Sequence, residues 1–299
     1  MCWSTTKRSW AAESICSITR MTSDSLQAIP SATPRFKVGD HCYIDMDLGQ
    51  APASRGSDLH RLNGNDFAKA TIMLHAPNGR VYALKRQTIG GSSACFESQN
   101  ESQAGNGDIH IGASFFAWQP GVYIADARQM TDDSVTGKSI KCAKAIIGVA
   151  GHAGLENGLT GFERSVSQVL EIVPLNDPTN LVVGDSLAVQ VLFKGAPLPC
   201  ACLAVLPRGK VLPRFGVENP YDLLTDAEGK AQFTFEEANY HLLVVHLVME
   251  GVPAPEGGSC QKLRYTGDLT VMVRPRHQEL DRETFAQESL DEAQVTVLA

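Results

Sequence analysis

Short apolar stretches broken by turn residues organise this chain, with little sign of the 3.6-residue period of an amphipathic helix. From residue 36 onward the pattern predicts strands over 41–48, 70–75, 81–86, 109–118, 122–127 and 139–149. In the second half it predicts strands over 166–173, 186–193, 202–206, 221–225, 230–235, 240–249 and 264–273. Turn chemistry falls between them: Pro77-Asn78-Gly79-Arg80, Gln119-Pro120-Gly121, Gly184-Asp185, Lys194-Gly195-Ala196-Pro197 and Asp226-Ala227-Glu228-Gly229. Asn-Gly tolerates the positive φ that a tight hairpin demands. Strands recurring every ~8–12 residues without helices between them argue for β-sandwiches.

The predicted fold is therefore all-β, with two β-sandwich domains over 35–150 and 166–274 and a linker over 151–165. Residues 1–34 are rich in Ser, Thr and Ala without a sustained period, and read as a disordered leader. Residues 50–65 and 90–108 are polar, Gly-punctuated loops. Residues 275–299 form an acidic tail, partly helical in pattern through Leu280, Phe285 and Leu290.

Composition narrows the function. With 26 Gly and 15 Pro in 299 residues, about one residue in seven is a turn former, which fits many short elements. The net charge of −7 argues against nucleic acid as a partner. Six acids and two arginines place −4 of it in the tail, so the body carries little steering field. No apolar run reaches the ~18 residues of a membrane span. The N-terminus lacks the apolar core of a secretory signal, which leaves the cytoplasm open as the compartment. Eight cysteines without a C-x-x-C pair read as scattered reduced thiols.

The second half carries a specific pattern. It runs through Leu170-Glu171-Ile172-Val173-Pro174-Leu175-Asn176-Asp177-Pro178, Val183-Gly184-Asp185-Ser186-Leu187, and Val189 to Leu198. It continues in Thr225-Asp226-Ala227-Glu228-Gly229-Lys230-Ala231 and Tyr265-Thr266-Gly267-Asp268-Leu269-Thr270-Val271. It resembles the bacterial family called domain of unknown function 4198, over roughly residues 140–274, with Trp118 to Ile124 fitting a strand of the first half. The resemblance implies an immunoglobulin-like or prealbumin-like sandwich. It also implies a periplasmic accessory role in cobalt or nickel uptake, with a metal ion or a transporter as partner. Family members commonly carry a His-containing segment near the mature N-terminus; here the first histidine is His41.

The motifs themselves are turns and say little about chemistry. Catalytic signatures such as G-x-S-x-G, H-E-x-x-H and the phosphate-binding loops are missing, so a non-enzymatic binding protein is expected. A nickel, cobalt or zinc site needs imidazole, thiolate or carboxylate groups converging from several strands. The candidate ligands are His41, His241, His246, Cys200 and Cys202. His241 and His246, five apart, face opposite sides of one regular strand, whereas Cys200 and Cys202 share a face. His75 and His110 sit at strand ends of the first domain, within possible reach of His41. Among Phe115, Phe116, Trp118 and Tyr123, the adjacent phenylalanines must point to opposite faces, so at least one packs in the core. The alternative to metal binding is a structural or interaction module that takes a protein or glycan through its loops.

Overall fold

The computed structural model describes residues 14–23, 35–50, 70–89, 110–133, 137–151, 159–207, 222–252 and 261–276. Every regular element among them is a strand, as the pattern predicts. In chain order these are β1 (Ser14–Ser23), β2 (Arg35–Lys37), β3 (His41–Gln50), β4 (Thr71–His75), β5 (Val81–Ala83), β6 (Gln87–Ile89), β7 (His110–Phe116), β8 (Gly121–Asp133) and β9 (Gly137–Ala150). There follow β10 (Leu170–Pro174), β11 (Leu181–Val182), β12 (Ser186–Phe193), β13 (Ala196–Pro197), β14 (Cys202–Pro207), β15 (Asp222–Leu224), β16 (Lys230–Thr234), β17 (Asn239–Val252) and β18 (Gln261–Arg274).

These strands make three sheets. One is ordered β1-β3-β7-β6, and a second has β12 flanked by β10, β13 and β16. The third, ten-stranded, runs β15-β14-β17-β18-β9-β8-β4-β5, with β2 on β9 and β11 on β18. Its centre is β9, which pairs antiparallel with β8 and parallel with β18. One sheet thus runs through both halves of the chain.

Each face of that shared sheet carries its own core. On one face Tyr123, Ala125, Ala127, Ala143, Ala145 and Ile147 pack with Ile72 and Leu74 beneath Cys42, Ile44 and Phe115 of the β3–β7 sheet. On the other, Val122, Ile124 and Ile146 join Leu243, Val245, Leu269 and Val271 beneath Leu170, Ile172, Val189, Val191 and Phe235. Strands covered on both sides read as continuous apolar runs. That explains why 139–149 does not alternate cleanly.

The structure departs from the expected pattern in four places. Part of the leader forms β1, antiparallel to β3 from Ser14 opposite Gln50 to Ser23 opposite Cys42. Its Ile and Thr residues suit a strand, and the edge of β3 offers it partners. The strand expected over 166–173 begins only at Leu170, because Ser167 turns the backbone to φ 60°. Of the expected linker, residues 152–158 lie outside the described residues. The rest is packed: Leu159 is buried in the second core, and Arg164 donates to the carbonyls of Ala76 (2.9 Å) and Val122 (2.7 Å). The fourth is the C-x-C face pairing: Cys200 sits in a turn at φ 55° and β14 starts at Cys202, so alternation does not extend through Cys200. The loops 51–65 and 90–108 and the tail from 277 lie outside the described residues.

Two glycines are dictated by geometry. Gly229 takes φ +72° in the turn before β16, and a Cβ there would stand 2.8 Å from the Val191 carbonyl oxygen. Gly267 lets β10 approach β18: a Cβ would stand 2.6 Å from the Leu170 carbonyl oxygen. Gly267→Ala is therefore expected to cost about 1–3 kcal/mol by overpacking. Urea unfolding followed by circular dichroism checks this, with a native spectrum before the transition.

Candidate functional site

Charged residues interrupt the apolar strands where the two halves meet. Asp126 on β8 and Lys144 on β9 stand directly opposite each other and are fully buried. Their side chains lie on the face that carries the second core. Over them folds segment 164–171. Lys144 Nζ pairs with Glu171 Oε1, and both groups are sealed from solvent. Glu171 also accepts from the Val166 N–H (2.8 Å), the Ser165 hydroxyl (2.7 Å) and the Gln168 N–H (3.3 Å). Asp126 accepts a forked pair from Arg128 (2.7 and 2.9 Å) and the Gln168 amide (2.6 Å). Arg128 reaches on to the Val166 carbonyl (2.7 Å). His75 Nε2 stands 3.6 Å from Asp126 Oδ2, too far for a hydrogen bond.

Burial pushes the Asp126 carboxyl up, but contacts with His75, Arg128 and Gln168 and the Arg128 charge hold it below its ordinary value. Burial pulls the Lys144 ammonium down, against the opposing pull of Glu171 and Asp126. None of these groups belongs to the expected ligand set. The signal for them was a charge inside an apolar run: Asp126 in 122–128, Lys144 in 139–149 and Glu171 in 170–174.

The expected ligands are dispersed. His41 stacks on Phe116 (4.3 Å between centroids) and meets Tyr43 on the β3–β7 sheet. His241 is buried edge-on against Phe235 (4.8 Å) in the second core. His246 faces the opposite side of β17, as the five-residue spacing requires, and its Nδ1 lies 3.0 Å from the Thr266 hydroxyl. The β14–β17 register, with Leu203 opposite Val245, brings Cys202 into the row of His246. Those two are the only pair of the five that the fold places in one row, on neighbouring strands. Among the described residues no three His, Cys, Asp or Glu side chains gather to hold a metal ion. Cys42 and Cys142 are buried thiols, pushed up by burial to about 12 and about 11, and are unsuited to thiolate chemistry.

The face carrying His246 holds a second buried polar group. Asp268 is fully buried, and neither carboxylate oxygen has a hydrogen-bond partner among the described residues. Burial raises its pKa well above the ordinary carboxylate range. His246 is half-buried on this face, and that burial, with the Lys141 charge, pushes it down to about 4.

The profile of DUF4198, described as a domain of unknown function, matches residues 35–248. The chain belongs to this family. The DUF4198 match takes in the whole Asp126–Lys144–Glu171 junction and leaves out β1 and β18. No curated protein matches the chain significantly in sequence. Among solved structures, the D0–D1 domain of intimin is 8% identical, covering 85% of this chain and 98% of its own, with a TM-score of 0.19. A bacterial ice-binding adhesin is 10% identical, covering 88% of this chain and 66% of its own, with a TM-score of 0.22. Scores this low do not establish a shared fold.

The DUF4198 region also exposes aromatics. Phe115 is buried and Phe116 is exposed, as their adjacency requires. Trp118 (42% exposed) packs on Tyr123 (5.1 Å) and meets Tyr82 (36% exposed) edge to face at 5.2 Å.

Acid sensitivity follows from His246. Its folded pKa of about 4 lies below the ordinary 6.5, so the unfolded chain takes up the proton first. The stability it contributes is complete above pH 6.5 and is lost as pH falls toward 4. His246→Gln is expected to remove on the order of 3 kcal/mol of that pH dependence. Urea unfolding at a series of pH values checks it; an unchanged slope between pH 6.5 and 4 refutes it.

Proposed function

We propose that this protein is a non-enzymatic β-sandwich interaction module that takes a partner polypeptide on the aromatic edge formed by Tyr82 and Trp118. The observation that carries this reading is the exposure of that ring pair, Tyr82 on the terminal strand of the shared sheet and Trp118 packed against it from the turn before β8. β5 ends the sheet, all three of its residues are exposed, and Val81 beside Tyr82 is 48% exposed. Tyr and Trp anchor interfaces because they bury large area with few rotors to freeze. An edge strand also presents backbone groups to which an added strand can pair.

Charge selects the partner. Arg80 and Lys85 are exposed at the two ends of β5. They repel a second copy of the same edge and favour a segment that combines apolar and acidic residues. Two competing readings have less support. The ionic junction is enclosed and neutralised by its own partners, which leaves no exposed nucleophile or acid–base pair for a substrate. The metal reading lacks a converging ligand set among the described residues.

The test is a photo-crosslinking residue at position 83, with the same residue at Gln232 on β16 as a control, in the cells that make the protein. One partner should be trapped at 83 and not at 232. Its affinity should fall at least tenfold on Tyr82→Ser or on Arg80→Glu with Lys85→Glu, while the melting temperature of Tyr82→Ser stays native. A partner trapped equally at both positions, or bound unchanged by these variants, overturns the assignment.

A further inference from the structure

The surroundings of Lys144 are poor for a charge. Leu269 opposite it on β18 and Ile124 in the next row are fully buried, as are Leu170 and Ile172 on either side of Glu171, and Ile146 is nearly so. An ion pair in such a place recovers its lost hydration only in part, whereas a neutral amide has no such debt. Lys144 and Glu171 belong to different sheets, β9 in the ten-stranded sheet and β10 in the sheet around β12, so a bond between them would span the second core.

We propose that Lys144 and Glu171 are joined by an intramolecular amide bond, Lys144 Nζ to Glu171 Cδ, with Asp126 as the proton carrier. Three features of the junction match the chemistry. The nucleophile and the carboxyl are already in contact. A second carboxylate, Asp126, stands directly opposite Lys144 in the β8–β9 register. The Glu171 oxygen that would become the amide oxygen, Oε2, is held by the Ser165 hydroxyl (2.7 Å) and the Gln168 N–H (3.3 Å). Donors fixed on that oxygen stabilise the negative charge of a tetrahedral intermediate. The segment that supplies them holds Ser167 at φ 60°, a conformation kept only where its surroundings enforce it.

The step balances without a co-reactant. A proton crosses from the Lys144 ammonium to Glu171 Oε1, leaving a neutral amine and a neutral acid. Burial favours the neutral amine. The Nζ lone pair then forms the bond to Cδ, and the electron pair of the Cδ–Oε2 double bond moves onto Oε2. A proton from the nitrogen passes to Asp126 and from there to the Oε1 hydroxyl. The electron pair on Oε2 re-forms the Cδ–Oε2 double bond as the Cδ–Oε1 bond breaks with its electron pair on Oε1, one water leaves, and Asp126 returns to its starting state. This inference is independent of the interaction role proposed above.

Intact mass measurement of the full chain under denaturing, reducing conditions tests it directly. The expected mass is one water below that of the sequence. A tryptic digest should show no cleavage after Lys144 and a branched peptide joining it to the peptide that contains Glu171. Lys144→Arg should restore the full sequence mass, and Asp126→Asn should leave most molecules at the full mass. The wild-type measurement decides even if a variant fails to fold. A wild-type mass equal to that of the sequence, or a water lost elsewhere in the peptide map, overturns the proposal.

Discussion

The contact between Lys144 and Glu171 fixes how the second core sits on the shared sheet. A buried charge is tolerated only when its partners are in place, and Glu171 gathers four: one ammonium, one hydroxyl and two backbone N–H groups. Three of those donors come from the chain just before β10, so the segment that crosses between the halves must take one path. Arg128 of the first half holds the same segment through the Val166 carbonyl, and Arg164 of the segment reaches back to the carbonyls of Ala76 and Val122. The junction is polar because backbone groups crossing between two cores need partners away from water.

Around that junction the sheet does double duty. Along β8, Tyr123, Ala125 and Ala127 enter one core while Val122 and Ile124 enter the other. A strand used on both faces cannot spare a polar row, which is why Asp126 and Lys144 stand out. Asp268 on β18 lies on the opposite face from Lys144 and lacks that support, which leaves its carboxyl held toward the protonated form.

Local chemistry was legible in the sequence, and long-range pairing was not. The turns at Asn78-Gly79, Gly184-Asp185 and Asp226 to Gly229 occur where their residue types require them, with Gly79, Gly184 and Gly229 all at positive φ. The strand set was legible for the same reason, since alternation and turn residues act within a few positions. The meeting of β9 with β18 depends on residues 138–145 finding 263–270, which no local signal encodes. The fold disperses the candidate ligands through a local detail and a global one. The left-handed turn at Cys200 breaks the C-x-C alternation, and His41 and His241 belong to different layers. The junction was visible only as charges in apolar runs, whose partners lie in another sheet. Tyr82 escaped notice because a single tyrosine between turn residues says nothing about which edge it will end on.

The parallel pairing of β9 with β18 has a consequence for how the protein is made. During synthesis β8 and β9 emerge long before their neighbour, and the flank of β9 at residues 138–145 stays open until β18 has been translated. Such a delay is slow and prone to mispairing, because parallel partners distant in sequence pay the full entropy of loop closure before any contact rewards them. A nascent chain in this state offers an apolar strand with one unsatisfied side, the form of substrate that chaperones hold. Truncation before residue 261 would therefore damage more than the last strand: it would leave β9 and β17 without the neighbour between them and strip Tyr265, Leu269, Val271 and Val273 from the second core.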